Sequence, residues 1–214
     1  MIYIENILIC LSAPMVIAIL CVRKEARKSL MFLLTGMVAC LLSSYISTFL
    51  ATIQGADLLS ASLEIAPVVE ETMKLFPVLF YLLIFEPPIE RAVNSFLMVS
   101  IGFATLENVC YLVQNEPSRT LYYLIRGFGT GSMHVVCAFI MAAGMLRLWG
   151  REWIRVAGTI GLLAMVITLH GVYNILVSQP GPAAIVGYLI PIVTSLVGNL
   201  LRLDPKLRAP APED

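Results

Sequence analysis

Hydrophobic and polar positions divide the chain into seven long apolar runs separated by short polar breaks: 3–22, 30–53, 64–85, 92–113, 127–147, 156–177 and 183–201. Each approaches the roughly 20 apolar residues that a helix needs to cross a bilayer. The pattern therefore predicts an all-α polytopic transmembrane helix bundle of about seven spans. The breaks carry turn chemistry. Glu86-Pro87-Pro88 stops the third run, because proline has no backbone donor. Asn115-Glu116-Pro117-Ser118 ends the fourth, and Ser178-Gln179-Pro180-Gly181-Pro182 separates the last two. The first run has no basic leader and no small-residue cleavage site before Arg23, so it reads as a span and not as a signal peptide. No internal repeat is visible. Residues 1–203 form one transmembrane domain, and 204–214, with Ala209-Pro210-Ala211-Pro212, read as a flexible tail.

Loop charge orients the spans. Arg23, Lys24, Arg27 and Lys28 follow the first run. With that loop in the cytoplasm, alternation places Arg91, then Arg147, Arg151 and Arg155, then Arg202, Lys206 and Arg208 on the same side. Only Arg119 and Arg126 fall opposite. The positive-inside rule thus puts the N-terminus outside and the C-terminus in the cytoplasm.

Composition agrees with this picture. The chain is 59% hydrophobic and 13% charged, with a mean hydropathy of +0.88. Soluble domains run about 45–50% apolar and roughly 25% charged. Formal net charge is zero, which gives no sign of a nucleic-acid partner. Five cysteines, at 10, 21, 40, 110 and 137, lie in apolar stretches without a CxxC pair and read as small hydrophobes.

What changes the picture is charge inside the runs. Glu70, Glu71, Lys74, Glu107, His134 and His170 all fall within spans. Each charge at mid-membrane costs about 2.5–3.5 kcal/mol on insertion scales. These groups must therefore face one another or a water-filled cavity. With the orientation above, all four helices place them at similar depth, nearer the extracytoplasmic side. Lys74 can pair with Glu70 at i,i+4 or with Glu71 at i,i+3. Adjacent glutamates lie about 100° apart on a helix, so one of the two pairs while the other points into the cavity. Asn174 shares a helix face with His170 and offers an amide to a developing oxyanion. Tyr111, Tyr122, Tyr123, Trp149 and Trp153 suit an interfacial belt, and Gly127, Gly129, Gly131 and Gly144 suit close helix packing.

In order and spacing, four blocks resemble the PrsW family of intramembrane proteases, which is related to the Abi and type II CAAX prenyl endopeptidases. They are Glu70-Glu71-Thr72-Met73-Lys74, Gly102-Phe103-Ala104-Thr105-Leu106-Glu107-Asn108, His134, and His170-Gly171-Val172-Tyr173-Asn174. The resemblance implies an endopeptidase acting on a membrane-anchored protein in a bacterial or archaeal cell membrane. By that likeness, Glu70 and His134 activate water, and His170 with Asn174 steadies the oxyanion. Glu71 and Glu107 support or share the base role, with Lys74 as an ion-pair partner. Leu75 and Thr130 stand where the CAAX group has arginine and phenylalanine, which points away from prenylated substrates. Members of the PrsW branch are associated with first-site cleavage of membrane-anchored anti-sigma factors.

The resemblance to Abi-type enzymes implies a site without metal. Zinc held across three helices by Glu70, His134 and His170 is the alternative, since two histidines and a carboxylate suit zinc but no HExxH occurs. Two rival functions use the same charges: an ion- or proton-coupled transporter, and a non-catalytic protein that binds membrane segments.

Overall fold

A computed structural model describes residues 3–114 and 120–203, and all regular structure among them is helical. In chain order the helices are α1 (Ile4–Cys21), α2 (Lys24–Gln54), α3 (Leu58–Ser60), α4 (Ala66–Phe85), α5 (Ile89–Gln114), α6 (Thr120–Leu148), α7 (Glu152–Ser178) and α8 (Pro182–Leu203). The tail expected at 204–214 and the break expected at 115–118 lie outside the described residues.

All seven apolar runs are helical, and every long helix but α1 extends beyond its run or continues a helical turn that does. Lys24, Arg27 and Lys28 are not loop residues; they lie in the first turns of α2. Arg126 lies inside α6. Hydrophobicity marks the part of a helix that suits lipid, whereas Lys and Arg are good helix formers that let it continue beyond. Five helices are long and apolar enough to cross a membrane: α1, α2, α5, α6 and α7. α4 contains Glu70, Glu71 and Lys74, and the apolar part of α8 is the shorter stretch Pro182–Gly198.

Two clusters make up the interior. The larger joins α4, α5, α6 and α7 through residues such as Val78, Leu82, Val99, Met141 and Val166. The smaller packs α2 against α5 through Met37, Cys40, Phe103 and Leu106, with Leu8 and Leu11 of α1 laid against it. α1 has no buried residue of its own. All five cysteines are free.

The closest backbone approach is not at the α6 glycines. A Cβ on Gly127 or Gly131 would meet nothing within 4 Å, while Gly129 and Gly144 lie against the Tyr188 and Leu162 side chains. The tight crossing is between α2 and α5. A Cβ on Gly36 would collide with the Val99 carbonyl, and one on Gly102 with that of Leu33. Backbone contact of this kind admits only glycine, and it locks α5 to α2 beside the site.

The entry to α4 is unusual. α3 continues without a break into a π-helical turn, Ala61–Ile65, and then α4. Pro67, in the first turn of α4, removes an amide that this turn would use. The Ala66 amide bonds Ala61, so Ser62's carbonyl finds no donor at 66 and none at Pro67. The Asn174 amide of α7 donates to it instead, at 2.9 Å. At the other end of α4, Glu86 takes a left-handed conformation (φ 41°) ahead of Pro87-Pro88.

Candidate active site

Four helices bring six ionisable side chains into one cluster. α4 contributes Glu70, Glu71 and Lys74, α5 Glu107, α6 His134 and α7 His170. α6 begins seven residues before the apolar run, so His134 sits roughly four turns in, deeper than the run suggested. His134 and His170 are fully enclosed, and their rings stand nearly perpendicular with centroids 5.3 Å apart.

The two glutamates of α4 divide as their angular separation requires. Glu71 is buried at 4% exposure, and its Oε1 accepts from Lys74 Nζ at 2.6 Å and from His170 Nδ1 at 2.7 Å. Glu70 lines a cleft instead. The cleft, of about 540 Å³, opens between α2, the α3–α4 entry, α5 and α6. Glu107 and Arg126 share its wall, with serines and threonines of α2 opposite.

The protons can be assigned from the partners. Lys74 also reaches His134 Nδ1, at 2.8 Å. An ammonium only donates, so Nδ1 accepts and Nε2 carries the hydrogen, which it donates to Glu107 Oε2 at 2.6 Å. His170 donates from Nδ1 to Glu71, so its Nε2 carries a lone pair. That lone pair faces Glu70 Oε2 across 3.8 Å, and Glu70 Oε2 is a buried oxygen without a hydrogen-bond partner. Two acceptors opposed across such a gap are reconciled by a proton on one of them or by a cation between them.

This arrangement tests the site for a metal. Glu70, His134 and His170 each offer a ligand atom, all within 4.8 Å of one another. Two of the three donors are uncommitted. Glu71 already orients His170 through Nδ1, as a carboxylate orients a metal-binding imidazole. His134 would have to give up its Nε2 hydrogen and its bond to Glu107. The donor set fits a divalent cation, whereas the sequence alone favoured a site without metal.

The cluster gathers Glu70, Glu71, Lys74, Glu107, His134 and His170. Asn174 does not join it; its amide is on the Ser62 carbonyl. The sequence reading also missed Arg126, which it counted only as a loop charge. The guanidinium donates to Asn108 Oδ1, reaches Glu107 Oε1 at 3.4 Å and stacks 3.5 Å from the Tyr111 ring centroid. A cation two turns before His134, facing the Glu107-Asn108 pair, was the available signal. Ser43 and Ser47 were missed as well. Their hydroxyls are buried on the cleft wall with no partner.

The profile of a family described as PrsW family intramembrane metalloprotease matches residues 25–198, well over half of the chain. No curated protein and no solved structure matches.

Proposed function

The chain belongs to the PrsW family of intramembrane metalloproteases, and on that premise we propose that it is an integral membrane endopeptidase that hydrolyses a peptide bond of a membrane-anchored protein near the extracytoplasmic face. The depth follows from loop charge, which sets the N-terminus outside. One observation carries the reading. Glu70, which lines the cleft, and His170 behind it face each other with Oε2 and Nε2 uncommitted, and His134 lies beside them. Family membership disfavours the transporter reading of the same charges.

Glu70, His134 and His170 would hold the metal, and two histidines with a carboxylate make zinc the ion of choice. When bound, it would acidify water and polarise the scissile carbonyl. Glu107 lines the same cleft and takes the proton of the attacking water, then returns it to the leaving amine. Arg126 steadies Glu107 and offers its guanidinium to the developing oxyanion. It takes the place expected of Asn174, whose amide is committed to Ser62. Glu71 and Lys74 act behind the site by fixing the two rings. The free hydroxyls of Ser43 and Ser47 satisfy backbone groups of a substrate segment drawn out of its own helix, which hydrocarbon cannot do. A membrane-anchored anti-sigma factor is a substrate that suits a cleft at this depth.

The test uses the purified full chain and a tagged single-pass substrate. Exhaustive chelation abolishes cleavage and zinc restores it. Glu70→Gln loses both zinc and cleavage, whereas Glu107→Gln keeps zinc and loses cleavage. Full activity in a preparation free of metal overturns the metal assignment. Undiminished cleavage by both variants overturns the protease site.

A further inference from the structure

At the opposite end of α4, far from the cluster, α2, α4 and α5 enclose a second cavity of about 540 Å³. Its wall is polar and cationic: Lys28 from α2, Tyr81 from α4, and Arg91, Asn94 and Ser95 from α5. Lys28 Nζ donates to Tyr81 Oη at 2.8 Å and to the Arg91 carbonyl at 3.1 Å. An ammonium has three hydrogens, so one remains for the cavity. Ser95, 1% exposed, is part of the cavity's lining, and its buried hydroxyl has no partner. A buried hydroxyl left unpaired is costly, which is a second and independent sign that something polar belongs there.

An apolar groove of about 710 Å³ leads out of the same place, between α2 and α4. It shares Lys28, Phe32 and Tyr81 with the cavity and runs along Met31, Phe76, Phe80 and Phe85. Lys24 and Arg27 stand at its basic end. Segments 22–32 and 80–98 carry Arg23, Lys24, Arg27, Lys28 and Arg91 against Glu25, Glu86 and Glu90, an excess of positive charge. A cationic cavity joined to a lipid-facing aromatic groove is complementary to a molecule with an anionic head and a hydrocarbon tail.

We infer that the α2–α4–α5 cavity binds the phosphate of an anionic glycerophospholipid, with one acyl chain in the groove along Phe76 and Phe80. Lys28 and Arg91 neutralise the phosphate, and Asn94 with Ser95 donates hydrogen bonds to its oxygens. Juxtamembrane cations are suited to this, each contributing about 1 kcal/mol toward anionic lipid, or roughly fivefold in affinity. The site is separate from the catalytic cluster, so it stands or falls independently of the proteolytic reading.

Binding of a fluorescent phosphatidylglycerol to the purified full chain tests this, with competition by unlabelled phosphatidylglycerol, phosphatidylcholine, diacylglycerol and inorganic phosphate. Phosphatidylglycerol should compete at least about tenfold better than phosphatidylcholine or diacylglycerol, and millimolar phosphate should leave the probe bound. Arg91 is exposed, so Arg91→Glu folds; it should weaken the probe about tenfold or more, and Lys28→Gln about fivefold. Phe80→Ala should weaken the probe several-fold. Equal competition by the zwitterionic lipid, or unchanged affinity in Arg91→Glu, overturns the proposal. Displacement by inorganic phosphate alone overturns the lipid and leaves a small-anion site.

Discussion

The two halves of the helix bundle are stabilised in opposite ways. Toward the Glu86 end, α4, α5 and α6 meet through apolar side chains with almost no exposed surface: Val78 and Met145 at 0%, Leu82 at 2%, Ala92 at 0%. Toward the other end the same helices meet through ionised and hydrogen-bonding groups, such as the Lys74–His134 and His134–Glu107 contacts. Outside the cavity at Lys28, shape specifies the first half. In the second, each partner must satisfy the next, and Glu70 Oε2, Ser43 Oγ and Ser47 Oγ are left over, all three on the cleft side. Groups unpaired in an otherwise paired network mark where a ligand or substrate completes it. Substitutions should therefore cost function at the cleft face of the polar half, and stability elsewhere.

The sharpest way to break that contrast is an isosteric change at the cleft. Glu70→Gln and Glu107→Gln preserve volume; Glu107→Gln should lower cleavage about 10²–10⁴-fold, the range for losing an acid–base group, and Glu70→Gln should abolish it by releasing the metal. Helicity and resistance to denaturation should stay near wild type. Cleavage kinetics beside an unfolding titration in detergent measures both. A large loss of stability with residual cleavage in proportion would erase the distinction between cleft and scaffold.

One layer behind, the balance reverses. Glu71→Gln removes the carboxylate that pairs with the buried Lys74 ammonium, which His134 and the Phe103 ring also flank. Breaking a buried pair from one side costs about 3–5 kcal/mol, whereas replacing both partners costs much less. Glu71→Gln should lower unfolding stability by about that amount, and Glu71→Gln/Lys74→Met should recover much of it. Equal destabilisation by the single and double variants would mean that the pair does not act as a unit.

How much of this the residues themselves disclosed depends on the kind of interaction. The seven apolar runs and the convergence of Glu70, Glu107, His134 and His170 were legible, because lipid makes an isolated charge so costly that helices must share depth. That one of Glu70 and Glu71 must pair also followed from helix geometry; which one did not, since Lys74 is within reach of both. Arg126 was hidden because its helix extends past the apolar run that was taken to bound it. The Gly36 and Gly102 crossing was hidden because many glycines look alike in sequence, and only the backbone shows which of them meet another chain segment. The π turn before α4 was hidden because the carbonyl it strands, at Ser62, is satisfied by Asn174, more than a hundred residues away.

In the scaffold, Gly102→Leu tests the crossing. The side chain would run into the Leu33 backbone, which cannot yield as a flexible side chain would. Overpacking costs typically about 1–3 kcal/mol, and occasionally more. The same change at Gly131 meets open space and should cost far less. Unfolding free energies of the two variants in the same detergent give the comparison directly.

The smallest expected effect separates two roles for one residue. Asn174 donates to Ser62 at 2.9 Å, where Pro67 has removed the backbone alternative. If bracing the π turn is its role, Asn174→Ala costs one neutral hydrogen bond, about 0.5–1.5 kcal/mol. Cleavage should then fall only as far as the cleft wall at Ser62 loosens, within about tenfold, and Pro67→Ala should rescue it by restoring an amide for the turn. An oxyanion donor behaves otherwise: its removal costs about 10²–10³ in turnover with little change in stability, and a backbone amide at 67 cannot replace it. A large turnover loss that Pro67→Ala leaves uncorrected would move Asn174 from the scaffold into the catalytic face, and Arg126 would lose its claim on the oxyanion.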